Sequence, residues 1–179
     1  MVDRVNGILL AFNESQADNF TQAEAFAPGT PGAVSRVEFR DVAVDRNGRV
    51  YLIDSANDQL LVFNGANITQ PVAQVTLRDA QFPIITPENI ALNKTLNRMY
   101  ITGSAANVIS AINNPGALTG NTQIQQVGQN ISINGDLQRP ATSPTGIDVT
   151  STDQEIYVTN GGGGFNISLL EVSGSGQVV

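Results

Sequence analysis

Residues 42–63 read VAVDRNGRVYLIDSANDQLLVF and contain three short apolar runs with turn residues between them. The runs are rich in β-branched and aromatic residues, which favour strands. The intervening Asp45-Arg46-Asn47-Gly48 supplies residues that accept the left-handed and Asx-turn conformations of tight hairpins. Together with one more apolar run downstream, the stretch predicts a four-stranded antiparallel meander. Its predicted strands are Val42–Asp45, Val50–Asp54, Leu60–Asn64 and Val72–Leu77.

The same order of apolar runs returns twice further along the chain. The second copy comprises Ile90–Asn93, Met99–Thr102, Val108–Asn113 and Thr122–Val127, and the third comprises Ile147–Thr150, Ile156–Asn160 and Ile167–Val172. Tyr51 and Tyr100 are 49 positions apart (100 − 51), whereas Tyr100 and Tyr157 are 57 apart (157 − 100). The difference predicts an insertion of about eight residues between Gly128 and Ala141. A repeat of about 50 residues is typical of propellers and solenoids.

The residues before the first complete copy match the end of a repeat. Ile8–Asn13 corresponds to a third strand and Gln22–Phe26 to a fourth. A lone four-stranded meander cannot bury both faces, but stacked meanders bury them against each other. We therefore predict an all-β, β-propeller-like fold in which residues 1–179 form one segment of about 3.5–4 blades. Val44, Leu92 and Val149 on the inner strands are expected to pack between the sheets. Tyr51, Tyr100 and Tyr157 are expected to occupy equivalent places in successive blades. The blade parts are expected at about 1–27, 37–78, 87–127 and 143–179.

Composition excludes several classes of function. The formal net charge is −7 and the few basic residues are scattered, whereas nucleic-acid binding needs clustered positive charge, so no nucleic-acid partner is expected. The chain has no Cys and no His, which excludes disulfides, zinc fingers, thiol nucleophiles and His-based triads. No apolar run approaches the roughly 18 residues of a membrane span. Met1–Leu10 lacks the order of a secretory signal, so any such signal would lie outside this sequence.

The repeats resemble two known families. Val42–Phe63 is similar to an NHL repeat, with an apolar inner strand, an Asp, a Gly turn and a second strand that begins near an aromatic residue. Tyr157-Val158-Thr159-Asn160 spells the tetrapeptide of YVTN propeller repeats, and Ser143–Val149 fits the inner-strand entry of that family. The resemblance spans about Ile8–Val172 and implies a propeller of a kind common in bacterial and archaeal surface proteins. It implies a fold and names no ligand.

In propellers, the residues that enter the innermost strand line the mouth of the central channel. Here they are Arg40, Asp41, Glu88, Asn89 and Thr145. Oxygen ligands from Asp41, Glu88 and Asn89 would suit a structural calcium ion. The alternative is that these residues are only solvated at the mouth. Lactonase-like propellers, which use a channel metal held by Glu, Asn and Asp, make a metal-dependent hydrolase the enzymatic alternative.

Two further motifs bear on function. Gly161–Gly164 is expected to be a hairpin loop rather than a phosphate cradle, because Phe165-Asn166-Ile167-Ser168 follows it instead of a helix start with a Lys. Asn-x-Ser/Thr triplets occur about twice as often as chance predicts, mostly in predicted turns, which would suit glycans on a secreted or surface protein. Enrichment of Asn, Ser and Thr in turns explains the excess equally well. The candidate positions are Asn13, Asn19, Asn67, Asn93, Asn130 and Asn166.

These observations predict a non-enzymatic extracellular or cell-surface module for recognition, adhesion, or filament or matrix assembly, with no required cofactor. The metal-dependent lactonase or esterase is the alternative, and an intracellular peptide-binding scaffold is a third hypothesis. Both termini fall inside blades, so the strands near Ile8–Phe12 and Ile167–Val172 would expose unpaired edges. The predicted partner is therefore a protein. It is either a second copy that shares a blade, giving a homo-oligomer or filament, or the rest of a longer propeller.

Overall fold

The computed structural model describes residues 1–15, 19–26, 37–65, 67–78, 86–93, 97–104, 108–120, 128–132, 143–150, 155–161 and 166–171. These residues form strands and two short 3-10 turns, Ser55–Asn57 and Pro115–Ala117. No helix in this part of the chain has the length and apolar character that a membrane span needs. The strands are β1 Val2–Asp3, β2 Ile8–Ser15, β3 Asn19–Phe26, β4 Phe39–Val44, β5 Val50–Asp54, β6 Gln59–Phe63, β7 Ala73–Thr76, β8 Pro87–Asn93, β9 Arg98–Gly103, β10 Val108–Asn113, β11 Gly128–Ser132, β12 Pro144–Val149, β13 Glu155–Asn160 and β14 Asn166–Glu171.

The strands form four antiparallel sheets, and each sheet uses strands that are consecutive in sequence. We name them blade 1 (β1–β3), blade 2 (β4–β7), blade 3 (β8–β11) and blade 4 (β12–β14). The two middle blades have four strands each, and the described parts of the outer two have three. The predicted all-β class, the meander order and the number of blades are confirmed.

Strand register confirms that the three tyrosines are equivalent. Tyr51 on β5 lies opposite Ala43 on β4, and Tyr100 on β9 lies opposite Ala91 on β8. Tyr157 on β13 takes the same place relative to the first strand of blade 4 and lies opposite Asp148. Residues that match in register therefore occupy corresponding positions in successive blades.

The hydrophobic core consists of layers between neighbouring blades. Successive side chains on a strand point to opposite faces, so one blade can contribute to two layers. In blade 2, Leu52 and Leu61 pack toward Leu9 of blade 1. Tyr51 and Leu60 belong to the layer shared with blade 3, and a further layer joins blades 3 and 4. Burial of apolar area in these layers stabilises the stack.

Burial corrects part of the predicted core. Val44, Leu92 and Val149 were expected between the sheets, but Val44 is 49% exposed and only the other two pack, partly buried, against core layers. Tyr157 is 41% exposed, whereas Tyr51 and Tyr100 are fully buried. The difference arises because the face of blade 4 that carries Tyr157 has no further blade packed on it among the described residues.

The outer strand of blade 3 also differs from the prediction. The expected strand Thr122–Val127 lies outside the described residues, and the strand that pairs with β10 is Gly128–Ser132. Fourteen residues (114–127) separate β10 from β11, compared with nine (64–72) between β6 and β7. Much of the inserted length therefore precedes β11, and the placement of the insertion after Gly128 was wrong. Residues 162–164 of the glycine run and the following Phe165 are also outside the described residues.

Each inner strand has an irregular pairing register at its start, where the mouth residues were predicted. The pairing register shifts between Phe39 and Val42 in β4, between Pro87 and Asn89 in β8, and between Pro144 and Gly146 in β12. Bulges re-aim side chains and are over-represented near functional sites. The predicted mouth residues lie in or beside these three irregular segments.

Candidate functional site at the inner-strand entry

The mouth residues of blades 2 and 3 meet through an ion pair. The guanidinium of Arg40 lies between two carboxylates, since its Nη2 bonds Oε1 of Glu38 and its Nη1 lies 3.6 Å from Oε2 of Glu88. The other oxygen of Glu88 accepts a hydrogen bond from Oγ of Ser104 at 3.1 Å. Among the described residues, Nε of Arg40 is buried without a hydrogen-bond partner. The site therefore holds a crowded guanidinium with one unused donor.

A second charged pair extends the site outward. Nη1 of Arg78 lies 3.7 Å from Oδ2 of Asp58, and Oδ1 of the same carboxylate accepts the backbone N–H of Thr86 at 3.0 Å. The side chain of Asp58 is only 15% exposed, whereas that of Arg78 is 63% exposed. The carboxylate is thus fixed by the backbone of the next blade, while the side chain of Arg78 is largely exposed and can contact a ligand.

Both charged pairs border one open cavity of about 520 Å³ between blades 2 and 3. Its lining includes Glu38, Arg40, Asp58, Arg78, Thr86 and Glu88. The cavity is polar and carries both signs of charge, so it suits a ligand with hydrogen-bonding groups and charges of its own.

Asp41 and Asn89, the predicted metal ligands beside Glu88, tie neighbouring blades together. Oδ2 of Asp41 accepts the backbone N–H of Ile90 at 2.9 Å, and its Oδ1 accepts the N–H of Val42 at 2.8 Å. Nδ2 of Asn89 donates to the carbonyl oxygen of Thr145. Each side chain therefore reaches the inner strand of the following blade.

The predicted calcium ligands consequently lie on adjacent inner strands, but protein groups already contact Asp41, Glu88 and Asn89. Within the described ranges, no group of three or more Asp, Glu, His or Cys side chains could hold a metal ion. The calcium site stays a prediction. Thr145 takes part through its backbone carbonyl oxygen.

Sequence reasoning missed Glu38, Asp58, Arg78, Thr86 and Ser104, because they lie just outside the predicted strands. The repeat spacing could have revealed part of the set, because equivalent residues of blades 2 and 3 form equivalent backbone hydrogen bonds. The N–H of Ser55 donates to the carbonyl oxygen of Glu38 at 2.9 Å, and that of Ser104 donates to Thr86 at 3.0 Å. The partners recur 48 or 49 positions apart, which is the spacing of the tyrosines.

The glycosylation candidates differ in position. Asn67 is exposed, and its Oδ1 accepts both the N–H (2.8 Å) and the hydroxyl (2.6 Å) of Thr69, which forms an Asx turn. Asn93 is only 1% exposed. The other candidates lie within strands β2, β3, β11 and β14 rather than in turns: Asn13, Asn19, Asn130 and Asn166.

No protein-family model matches the chain, and no curated protein matches it in sequence. Solved structures share its fold. A protein from Lactobacillus plantarum is 14% identical with a TM-score of 0.69, and the match covers 99% of this chain and 51% of that one. A Bacteroides uniformis protein described as a 6-phosphogluconolactonase is 15% identical with a TM-score of 0.62, over 94% of this chain and 48% of that one.

A chain of the nidogen/laminin complex is also similar, with 15% identity, a TM-score of 0.63, and coverage of 96% of this chain and 59% of that one. The structural neighbours are β-propeller proteins, and the chain has the β-propeller fold. They include proteins described as 6-phosphogluconolactonases and a β-propeller domain from Myceliophteria thermophila. The chain spans about half the length of the structures described above.

Proposed function

We propose that this chain is a non-enzymatic recognition segment of a propeller that binds a polypeptide at the inner-strand entry. The observation that carries the proposal is the open cavity of about 520 Å³ across blades 2 and 3, with guanidinium and carboxylate groups on its walls. A polypeptide offers backbone donors and acceptors and charged side chains of both signs. Such a ligand complements a surface of mixed charge better than a purely anionic or apolar ligand does.

The chemistry of the walls supports binding over catalysis. Oδ1 of Asp58 accepts the backbone N–H of Thr86 and its Oδ2 faces Arg78, and both oxygens of Glu88 face a side-chain donor. Oxygens held in this way act as fixed electrostatic features. A general base needs an oxygen within reach of the proton that it abstracts. Arg78, with its exposed guanidinium, is the group best placed to contact a partner.

A precedent for a protein partner comes from the comparisons. A propeller chain of the nidogen/laminin complex shares the fold of this chain. At 15% identity the likeness concerns the fold alone, so the protein partner of the present chain rests on its own cavity. We assign the repeats to the NHL/YVTN type as part of the same proposal, on the motifs Val42–Phe63 and Tyr157–Asn160.

An extracellular or cell-surface location belongs to the proposal. Its support is the excess of Asn-x-Ser/Thr triplets and the geometry of Asn67, which is exposed in a turn with its own Thr69. Asn93 is left out of the glycan proposal because its side chain is buried. The intact mass of the native protein, followed by peptide mapping, tests this point. A native peptide that contains only unmodified Asn67 would remove the support.

Self-association is a second way to engage a protein partner. The face of blade 4 that carries Tyr157 is open, and the equivalent positions in blades 2 and 3 are covered by the next blade. A second copy, or further blades of a longer polypeptide, would cover it. Light scattering on the 179-residue chain tests the first option, and a monodisperse monomer would reject strand sharing between copies.

The recognition proposal is tested with a phage-displayed library of random peptides. Peptides selected on the wild-type chain should bind Arg78→Glu at least about tenfold more weakly, because like charges facing across an interface cost several kcal/mol. Arg46→Glu is the matched control, because Arg46 is an exposed arginine in the turn that follows β4, at the opposite end of that strand. Failure to select any peptide, or equal binding to wild type and Arg78→Glu, would contradict the proposal.

The metal-dependent hydrolase is the alternative function, and it would use the oxygens of Asp41, Glu88 and Asn89 at the entries of two adjacent inner strands. It requires a bound divalent ion and turnover of a lactone or ester. Calcium titration by calorimetry, with Glu88→Gln as the comparison, separates the two functions. Calcium binding that Glu88→Gln abolishes would favour the hydrolase and count against a purely polypeptide-binding mouth.

A further inference from the structure

A second cavity, of about 230 Å³, lies at the opposite end of the inner strands of blades 2 and 3. It is bordered by the β4–β5 turn of blade 2 and by the residues that flank the β8–β9 turn of blade 3. Its walls include Asn47, Leu92, Arg98 and Pro115. This volume is room for a small organic ligand.

Arg98, on the wall of this cavity, is a buried cation without a counter-charge. Arg98 is 7% exposed, and its Nε donates to Oδ1 of Asn113 at 2.6 Å. Nη1 is buried and has no hydrogen-bond partner in the described part of the chain. The ion pairs found there involve other arginines. A buried, unpaired guanidinium is costly, so an anion at this point would stabilise the folded chain.

Comparison with blade 2 shows where the counter-charge is missing. Arg49 is the equivalent of Arg98. Its neighbour beside the inner strand is Asp45, whose Oδ1 accepts the backbone N–H of Arg49 at 2.9 Å. In blade 3 the corresponding neighbour, paired with Arg98 across β8 and β9, is the neutral Asn93. Blade 3 thus has a neutral amide where blade 2 has an acid, so the cavity wall beside Arg98 carries no negative charge at this position.

Asp45 also borders the cavity, but its oxygens are already engaged. Oδ1 accepts the backbone N–H groups of Asn47 (2.8 Å) and Arg49 (2.9 Å), and Oδ2 accepts the hydroxyl of Tyr51 at 2.8 Å. It is not within ion-pair distance of Arg98. Within the part of the chain that the structure describes, the cavity thus lacks a carboxylate positioned to neutralise the Arg98 guanidinium.

We propose that this cavity binds a small organic carboxylate, with the guanidinium of Arg98 as its anchor. The planar fork of arginine matches a carboxylate with two parallel hydrogen bonds. The exposed amide of Asn47 offers further polar contact, and Leu92 and the buried Pro115 supply apolar walls for a carbon skeleton. The apolar walls and the volume favour an organic anion over chloride.

The test uses malonate as the probe on the full 179-residue chain. Calorimetry and thermal unfolding compare malonate with its neutral analogue malonamide, in chloride-free buffer at constant ionic strength. We expect malonate to bind and to raise Tm, and malonamide to do neither. Equal effects of malonate and malonamide, or no binding of malonate, would overturn the proposal. Suppression of malonate binding by an equal concentration of chloride would show an inorganic anion site and would also overturn it.

Two variants locate the anchor. Arg98→Met removes the charge and should weaken malonate binding at least tenfold. Arg4→Met, an exposed arginine that bonds the carbonyl oxygen of Arg40 at the other end of β4, should leave the Kd within about twofold. Asn93→Asp places a negative charge on the cavity wall beside Arg98 and should also weaken malonate binding at least tenfold, because the new carboxylate repels the anion. It provides the decisive comparison where Arg98→Met does not fold. Malonate binding that persists unchanged in Asn93→Asp would overturn the assignment of Arg98.

Discussion

Replacing each of the three equivalent tyrosines by alanine tests how much of the stability comes from packing between blades. Tyr51 and Tyr100 are fully buried, while Tyr157 is 41% exposed on the open face of blade 4. The three residues share one register position, so backbone context is matched and coverage by the next blade is the main difference. The series therefore isolates the contribution of a neighbouring blade.

The expected magnitudes follow from burial. A buried aromatic side chain removes about 150–250 Å² from water, and its truncation leaves a cavity that costs about 3–5 kcal/mol in total. We expect that loss for Tyr100→Ala. Tyr51→Ala should cost at least as much, because the hydroxyl also donates to Asp45 at 2.8 Å. Tyr157→Ala should cost about 1 kcal/mol, since solvent fills the space and no closed cavity forms.

Urea unfolding followed by circular dichroism measures the three free energies of unfolding, provided that the m-values stay equal. Val72→Ala serves as the control, because Val72 is 54% exposed and its truncation should change stability by less than about 0.5 kcal/mol. A loss at Tyr157 within about 0.5 kcal/mol of the loss at Tyr100 would refute the reasoning, because it would mean that this face of blade 4 is covered in solution.

Three further predictions concern single contacts. Asp41→Ala should cost about 1–3 kcal/mol in urea unfolding, because the N–H of Ile90 loses its acceptor; unchanged stability would argue against the tie between blades. Gly146→Ala should cost about 1–3 kcal/mol, because a Cβ there would lie 2.4 Å from Oγ1 of Thr159, and a Thr159→Ala background should restore most of the loss in a double-mutant cycle. Burial, and then the hydrogen bond to a carboxylate, raise the pKa of Tyr51 above its usual 10.0, so its contribution to stability is present below about pH 10 and is lost as the pH rises further. Tyr51→Phe should show a shallower alkaline decline of the free energy of unfolding than wild type, and an identical decline would contradict the assignment.

The blade order was predictable because the strands that make it carry strong local signals. Tyr51 and Tyr100 begin apolar second strands after polar turns, and their spacing sets the repeat. The outer strand of blade 3 carried no such signal: Gly128–Ser132 reads GQNIS, with a single large apolar residue. Outer strands pack against less of the core, so their position depends on pairing with β10 rather than on an apolar pattern.

The positions of the site residues could be predicted from the sequence, but their hydrogen-bond and packing partners could not. The sequence position of Asp41 located it at the entry of an inner strand, but its acceptor role depends on Ile90, which is 49 residues away in the next blade. Likewise, Tyr157 matches Tyr100 in register, yet its exposure depends on what packs against blade 4. Local patterns specify a strand and its face, whereas contacts between blades depend on the assembled stack.

The layered core also determines where the chain should open first. Each blade is built from consecutive strands and contacts its sequence neighbours, which is the arrangement of a quasi-one-dimensional array. Among the described residues, blades 2 and 3 each pack against two neighbouring blades, whereas blade 4 packs against blade 3 alone. Amide protons of β5 and β9 should therefore exchange with solvent only in rare, nearly global openings, while those of β13 exchange through fraying of one blade. With such a gradient, a partner could replace contacts of blade 4 without unfolding blades 1 to 3.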